Sequence, residues 1–198
     1  MATISTAVGL DRISRVSGYD IKKYFSNNDT QNLPHIIAVF GEANTANQAG
    51  LTVTKREVTS ADEAATLYGY GSPIHSIMRI LRPKSGEGVG GIPTIVFPQI
   101  TNGAATATVR AWTVTGTATA NATHTVVVNG RTSLDFQSYS YSVAIGDTPT
   151  IIAGKIRDAI NGVLAAPCSA TSAAGVATIT SKWKGITSSE LNIAIDFG

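Results

Sequence analysis

The chain has 198 residues, enough for one ordinary domain or two small ones with a buried core, and it is 43% hydrophobic and only 14% charged. A net charge of +2 is too small to serve as an electrostatic footprint for nucleic acid or an anionic bilayer, and no stretch approaches the roughly 18 apolar residues of a membrane span. Neither a nucleic-acid partner nor membrane insertion is therefore expected.

Residues 1–34 read as an extended arm. Short apolar stretches at Val8–Leu10, Ile13, Val16, Tyr19, Ile21, Tyr24 and Phe25 fit neither a sustained helical period nor clean alternation. The first nine residues carry no basic cluster followed by an apolar run, so nothing there directs secretion. After Pro34, the run from His35 to Gly41 is almost wholly apolar and predicts a central strand buried on both faces. Leu51 to Val58 predicts a second strand. Ser60-Ala-Asp-Glu63 is a capping box that starts a helix to about Tyr68, which Gly69 and Gly71 break. Ser72-Pro73 starts another helix with proline at its first position and Ile74, Ile77, Met78 and Leu81 on one apolar face, packed on the sheet. A loop over residues 83–91 and a buried strand from Ile92 to Phe97 complete a β-α-β fragment over residues 35–103.

Beyond Asn102-Gly103 the texture becomes that of strands. Ala107 to Thr119 and His124 to Val128 alternate Thr with Val, Trp or Ala, Asn129-Gly130 is a hairpin signal, and Leu134 to Ile145 continues the strands. Residues 146–149 start a long helix with Ile151, Ile152, Ile156, Ile160 and Leu164 at three- and four-residue steps, ending near Ala165. Val176 to Trp183 and Leu191 to Phe197 predict further strands. The fold class expected is α+β, in three parts: an extended arm over 1–34, the β-α-β fragment over 35–103, and a second β-rich domain of mixed strands with one long helix over 104–198.

Chemistry-bearing constellations are sparse, and no enzymatic activity, catalytic residue, cofactor or metal is expected. Gly86-Glu-Gly-Val-Gly-Gly91 has the glycine spacing of a dinucleotide fingerprint, but with a helix before it and a strand after it the flanks are reversed, so a surface loop is expected. His35, His75 and His124 stand far apart with no partner at ligand spacing, and each is expected to be satisfied locally. Cys168 reads as a small buried hydrophobe rather than a nucleophile. Asp62 and Glu63 read as helix-start carboxylates rather than an acid–base pair. Lys182-Trp-Lys184 is a weak basic–aromatic signal for single-stranded nucleic acid, of a kind common on any surface.

The segment Thr59 to Met78, with Ser-Ala-Asp-Glu-Ala followed by Tyr-Gly-Tyr-Gly-Ser-Pro-Ile-His-Ser-Ile-Met, resembles the S-A-D-E-A … (F/Y)-G-x-G-S-x-(L/I)-x-x-M stretch of Mu-like contractile phage tail sheath proteins. Upstream, the arm, Val-Ser-Gly-Tyr19 and Ile-Ala-Val-Phe-Gly41 stand where that family carries its arm, a P-G-x-Y turn and a strand ending in glycine, with Ser17 in place of the proline. Downstream, Gly116 to Ala120, Thr125 to Gly130, Val143 to Thr148, Ile156 to Asn161 and Lys184-Gly185 resemble the β-rich domain inserted in those subunits. The family's remaining core half and C-terminal arm have no counterpart before Gly198, so the chain reads as the leading portion of such a subunit.

The resemblance implies a structural subunit that assembles helically with copies of itself around a tail tube and contracts to drive the tube through the host envelope. Its implied partners are the tail tube, baseplate and tail terminator proteins, and its implied place is the virion tail, assembled in the host cytoplasm. The arm would tether neighbouring subunits through residues such as Ile13, Val16, Tyr19, Ile21 and Tyr24, and the inserted domain would face outward. A tail-associated or surface β-domain that binds a receptor or glycan without forming a helical lattice is the alternative.

Overall fold

The computed structural model describes residues 35–86, 88–130 and 137–197. The arm over residues 1–34, with Ile13, Val16, Tyr19, Ile21 and Tyr24, lies outside the described residues, as do residues 131–136. Residues 36–198 hold together as one unit with two hydrophobic cores, one drawn from residues 37–96 and the other from 112–195. We refer to these as the first and second lobes.

The first lobe runs β1 (Ile37–Glu42), β2 (Arg56–Glu57), α1 (Ala61–Tyr68), α2 (Pro73–Leu81) and β3 (Thr94–Gln99). β1 and β3 pair in parallel from Ile37↔Thr94 to Glu42↔Gln99, which makes a β-α-β unit with two helices in the crossover. Both helix starts follow from local side-chain chemistry. Ser60 accepts from the Glu63 N–H at 3.1 Å, and Glu63 Oε2 accepts in return from the Thr59 N–H at 2.9 Å. Ser72 accepts from the His75 N–H at 3.1 Å, with Pro73 at the first helical position. Between them Gly69, at φ +93°, ends α1 where a Cβ would stand 2.3 Å from Asn44 Nδ2. α2 lies on the sheet with Ile74 against Gly41; Ile74 and Met78 are fully buried, and burial of each contributes on the order of 2 kcal/mol. Of the expected apolar face, Leu81 packs at the margin of the core and Ile77 stays partly exposed.

Two expectations for this lobe are corrected. Among the described residues the sheet order is β1–β3–β2, which puts β3 in the centre and β1 at an edge. Along β3, Thr94, Val96 and Pro98 are buried, whereas on β1 only Val39 is, and Phe40 is 62% exposed. Both helices lie over the Val39/Val96 side; an apolar run records that a face needs cover, not which element supplies it. The strand expected over 51–58 shrinks to Arg56–Glu57, paired with Val96 and Ile95. Leu51 and Val58 turn into the core at either end, and residues 52–57 between them are exposed.

The second lobe contains β4 (Ala107–Thr113), β5 (Ala122–Asn129), β6 (Gln137–Val143), α3 (Pro149–Asn161), β7 (Cys168–Ala173), β8 (Val176–Lys184), the short α4 (Ile186–Ser189) and β9 (Asn192–Asp196). They form two antiparallel three-stranded sheets, β4–β8–β7 and β6–β5–β9, around one core shared with α3. β6 and β8 alternate strictly, burying Tyr139, Tyr141 and Val143 on one and Ala177, Ile179, Ser181 and Trp183 on the other. Ile152, Ile156 and Ile160 recur at four-residue steps on the buried face of α3. Asp147, just before the helix, accepts from the Ala144 N–H at 2.7 Å and from Lys155 Nζ at 2.5 Å. Those two contacts hold its carboxyl below the ordinary range, the lysine first.

Here too the sequence reading needs amendment. α3 stops at Asn161 rather than near Ala165, because the Asn161 amide turns aside to bond the Ala170 backbone twice, donating to its carbonyl at 2.7 Å and accepting from its N–H at 2.9 Å. Ile151 and Leu164, expected on the core face, are exposed. β4 ends at Thr113, short of Thr119. Asn129-Gly130 is not a two-residue turn: β5 continues through Asn129 because β9 pairs with it there, and β6 takes up pairing at Gln137. β7 has no counterpart in the expected elements. It forms a hairpin with β8 through Ala174 and Gly175, both at positive φ, the mirror-image turn that matches strand twist.

Candidate assembly surface and the seam between lobes

Among the described residues no group of three or more His, Cys, Asp or Glu side chains is placed to hold a metal. Gly86-to-Gly91 lies in the loop between α2 and β3, where the Arg82 guanidinium donates to the Gly90 and Ile92 carbonyls. Cys168 is buried in the second core, and burial pushes its thiol up to about 12. Asp62 and Glu63 stand in the first turn of α1. His124 on β5 donates from Nδ1 to the Phe197 carbonyl at 3.0 Å, since a carbonyl can only accept. His35 is exposed just before β1. The Lys182-Trp183-Lys184 triplet does not form an exposed patch: Trp183 is buried, and Lys182 is engaged with backbone carbonyls.

Two features of the surface stand out. The first is the face of the β1–β3 pair turned away from the helices. Cross-strand neighbours Ala38↔Ile95 and Phe40↔Phe97 lie on it, with the two phenyl rings stacked at 4.7 Å and 12° between planes. Ile36, 55% exposed, continues the strip. Parallel strands ordinarily have both faces covered. The second is an apolar cleft of about 480 Å³ in the second lobe, walled by Trp112, Val114, Tyr141, Ile152, Ile156 and Ile195.

The lobes meet along a polar seam. Glu42, the last residue of β1, accepts from the Thr187 hydroxyl of α4, which in turn accepts from Trp183 Nε1 at 3.1 Å. Lys182 Nζ donates to Tyr70 O at 3.2 Å and to Leu164 O at 3.0 Å, one carbonyl from each lobe. Gly71, at φ +78°, lies so close to the turn after α3 that a Cβ would stand 2.0 Å from Ala166 O. Beneath this contact His75 is 4% exposed, its Nδ1 accepts from the Gly71 N–H at 3.0 Å, and the Tyr70 ring meets it edge-on at 5.4 Å. Sequence reasoning expected local satisfaction of His75; its place in the seam was not visible, although Ser-Pro-Ile-His repeats the Ser-to-Glu spacing of the first helix start.

Among the described residues, no strand pairs with the outer edge of β1, beside the stacked Phe40 and Phe97 rings. No family model matches the chain. It is 28% identical over 141 residues to the Mu-like prophage FluMu tail sheath protein of Haemophilus influenzae, across 71% of this chain and 27% of that protein. The chain is thus a distant, partial relative of a tail sheath protein and spans about a quarter of that relative's length.

Proposed function

We propose that this chain is a structural component of a contractile phage tail sheath, assembling helically with copies of itself around a tail tube and working by rearrangement of its packing rather than by bond-making chemistry. The observation that carries the reading is the similarity to a tail sheath protein over 71% of the chain. The exposed Phe40 ring stacked on half-buried Phe97, and the edge of β1 that no described strand pairs with, support it, since both suit a subunit packed among others. A sheath requires two packings of one folded subunit with energy stored in its interfaces, and a tether that outlasts the change. Residues 2–25 are the proposed tether, adding backbone hydrogen bonds to a neighbour through the segment that holds Ile13, Val16, Tyr19, Ile21 and Tyr24. Tube, baseplate and terminator proteins are the further proposed partners, the second lobe is the part proposed to face outward, and the virion tail, built in the host cytoplasm, is the proposed location.

Negative-stain microscopy of the complete gene product tests this: long tubes are expected, and their loss with retention of folded monomer is expected when residues 2–25 are deleted. Tubes formed without those residues would remove them from the assembly. Only dispersed particles from the intact product would favour the second reading, a surface domain that binds a receptor or glycan, for which the cleft beside Trp112 and Tyr141 is the supporting feature.

A further inference from the structure

α1 and α2 begin with one device in two chemistries. In each, a serine caps the third helical N–H and the side chain at that third position reaches back to the N–H of the residue before the cap. Glu63 does so toward Thr59 at 2.9 Å and His75 toward Gly71 at 3.0 Å. The glutamate pair is exposed and faces solvent. The histidine pair is buried, and the turn it closes, residues 69–72, is the part of the first lobe that presses on Ala165 and Ala166 of the second.

For Nδ1 to accept, the ring must carry its single proton on Nε2. A second proton would set a ring N–H against the Gly71 N–H, leaving two donors facing each other in a site without water's dielectric. We propose that His75 is a proton-operated latch on the seam: the neutral ring holds the 69–72 turn against the second lobe, and protonation at Nδ1 releases it. The proposal stands on the fold and does not depend on the sheath reading.

The surrounding charges set when the latch opens. Arg79 on the same helix, Lys182 from β8 and Lys84 after α2 disfavour a cationic ring, and Asp62 on α1 favours it. Burial first, then Arg79, holds the pKa of His75 below the ordinary 6.5. A group whose folded pKa is depressed stabilises fully above its unfolded value of about 6.5 and loses that contribution as pH falls through the folded value. The seam therefore stays shut at neutral pH and loosens in mild acid.

The test is an NMR titration of the full chain from about pH 8 to about pH 5, following the His75 ring and the Gly71 and Tyr70 amides, with amide exchange and thermal unfolding at each pH. The Gly71 amide is expected to shift with the midpoint of the His75 ring, and its protection to fall by up to about tenfold per pH unit between about pH 6.5 and that midpoint, levelling off below it. In His75→Asn the Oδ1 atom takes the place of Nδ1 without titrating, so protection and Tm should lose their dependence on pH across this window. A Gly71 amide that stays unchanged while His75 titrates, or a Tm that falls with pH equally in both proteins, overturns the proposal. If His75→Asn does not fold, the wild-type titration decides alone.

Discussion

The two lobes bury apolar residues to similar depth but complete themselves differently. In the second, two three-stranded sheets and α3 converge on one core, and Ile156, Ile160 and Ile179 are sealed from solvent on all sides. In the first, a three-stranded sheet has helices on one face, and the other presents Phe40, Phe97 and Ile36. The contrast teaches that burial within a lobe and completeness of that lobe are separate properties. The second lobe draws its core from two sheets and α3, apart from the cleft beside Trp112, whereas the first meets α4 and β8 through polar contacts and, among the described residues, leaves one sheet face without a covering layer.

That contrast can be broken at three points. The largest effect is expected at the seam. In Gly71→Ala the new Cβ meets the Ala166 carbonyl and the residue must keep a left-handed conformation. Loss on the order of 5 kcal/mol in chemical denaturation is expected, with the two lobes no longer unfolding together. A shift under about 1 kcal/mol would show that the seam yields easily. Next comes the closed core: Ile156→Ala leaves a cavity under β7 and β8 and should cost about 2–5 kcal/mol by the same measurement. The smallest effect on stability falls on the open face. Phe40→Ser removes a stacked but exposed ring, so stability should change by less than about 1.5 kcal/mol. Self-association measured by light scattering should decline, and an unchanged association would mean that the bare face is not what makes copies adhere.

Much of the local structure was legible because local chemistry decides it. Both helix starts, the bounds of α1 and α2, the parallel strands on either side of them and the isoleucine face of α3 follow from capping serines, Pro73 and periodicity, all contained within a few residues. What escaped depends on partners distant in sequence. β7 is built of Cys, Ser, Ala and Thr, and its turn through Ala174-Gly175 lacks the Asn or Asp that usually announces a positive-φ pair. α3 ends where it does because Asn161 finds the Ala170 backbone, a contact no periodicity encodes. β1 reads as a central strand because Ile, Ala, Val and Phe look alike whether helices or open surface lie above them. The seam was hidden for the same reason: Lys182 reads as surface charge until Tyr70 O and Leu164 O are seen beside it.

The parallel pairing of β1 with β3 also sets an order of events during synthesis. Ile37 cannot meet Thr94 until both intervening helices and the glycine loop have left the ribosome, whereas β7 and β8 adjoin through two residues and can zip as soon as they emerge. Closing the longer loop carries the larger entropic cost, so β1 is among the last of the described strands to find its place. Throughout that interval β1 lacks β3, and the Phe40 ring is without the Phe97 ring it later stacks on, which lengthens the time an apolar side chain is exposed during synthesis.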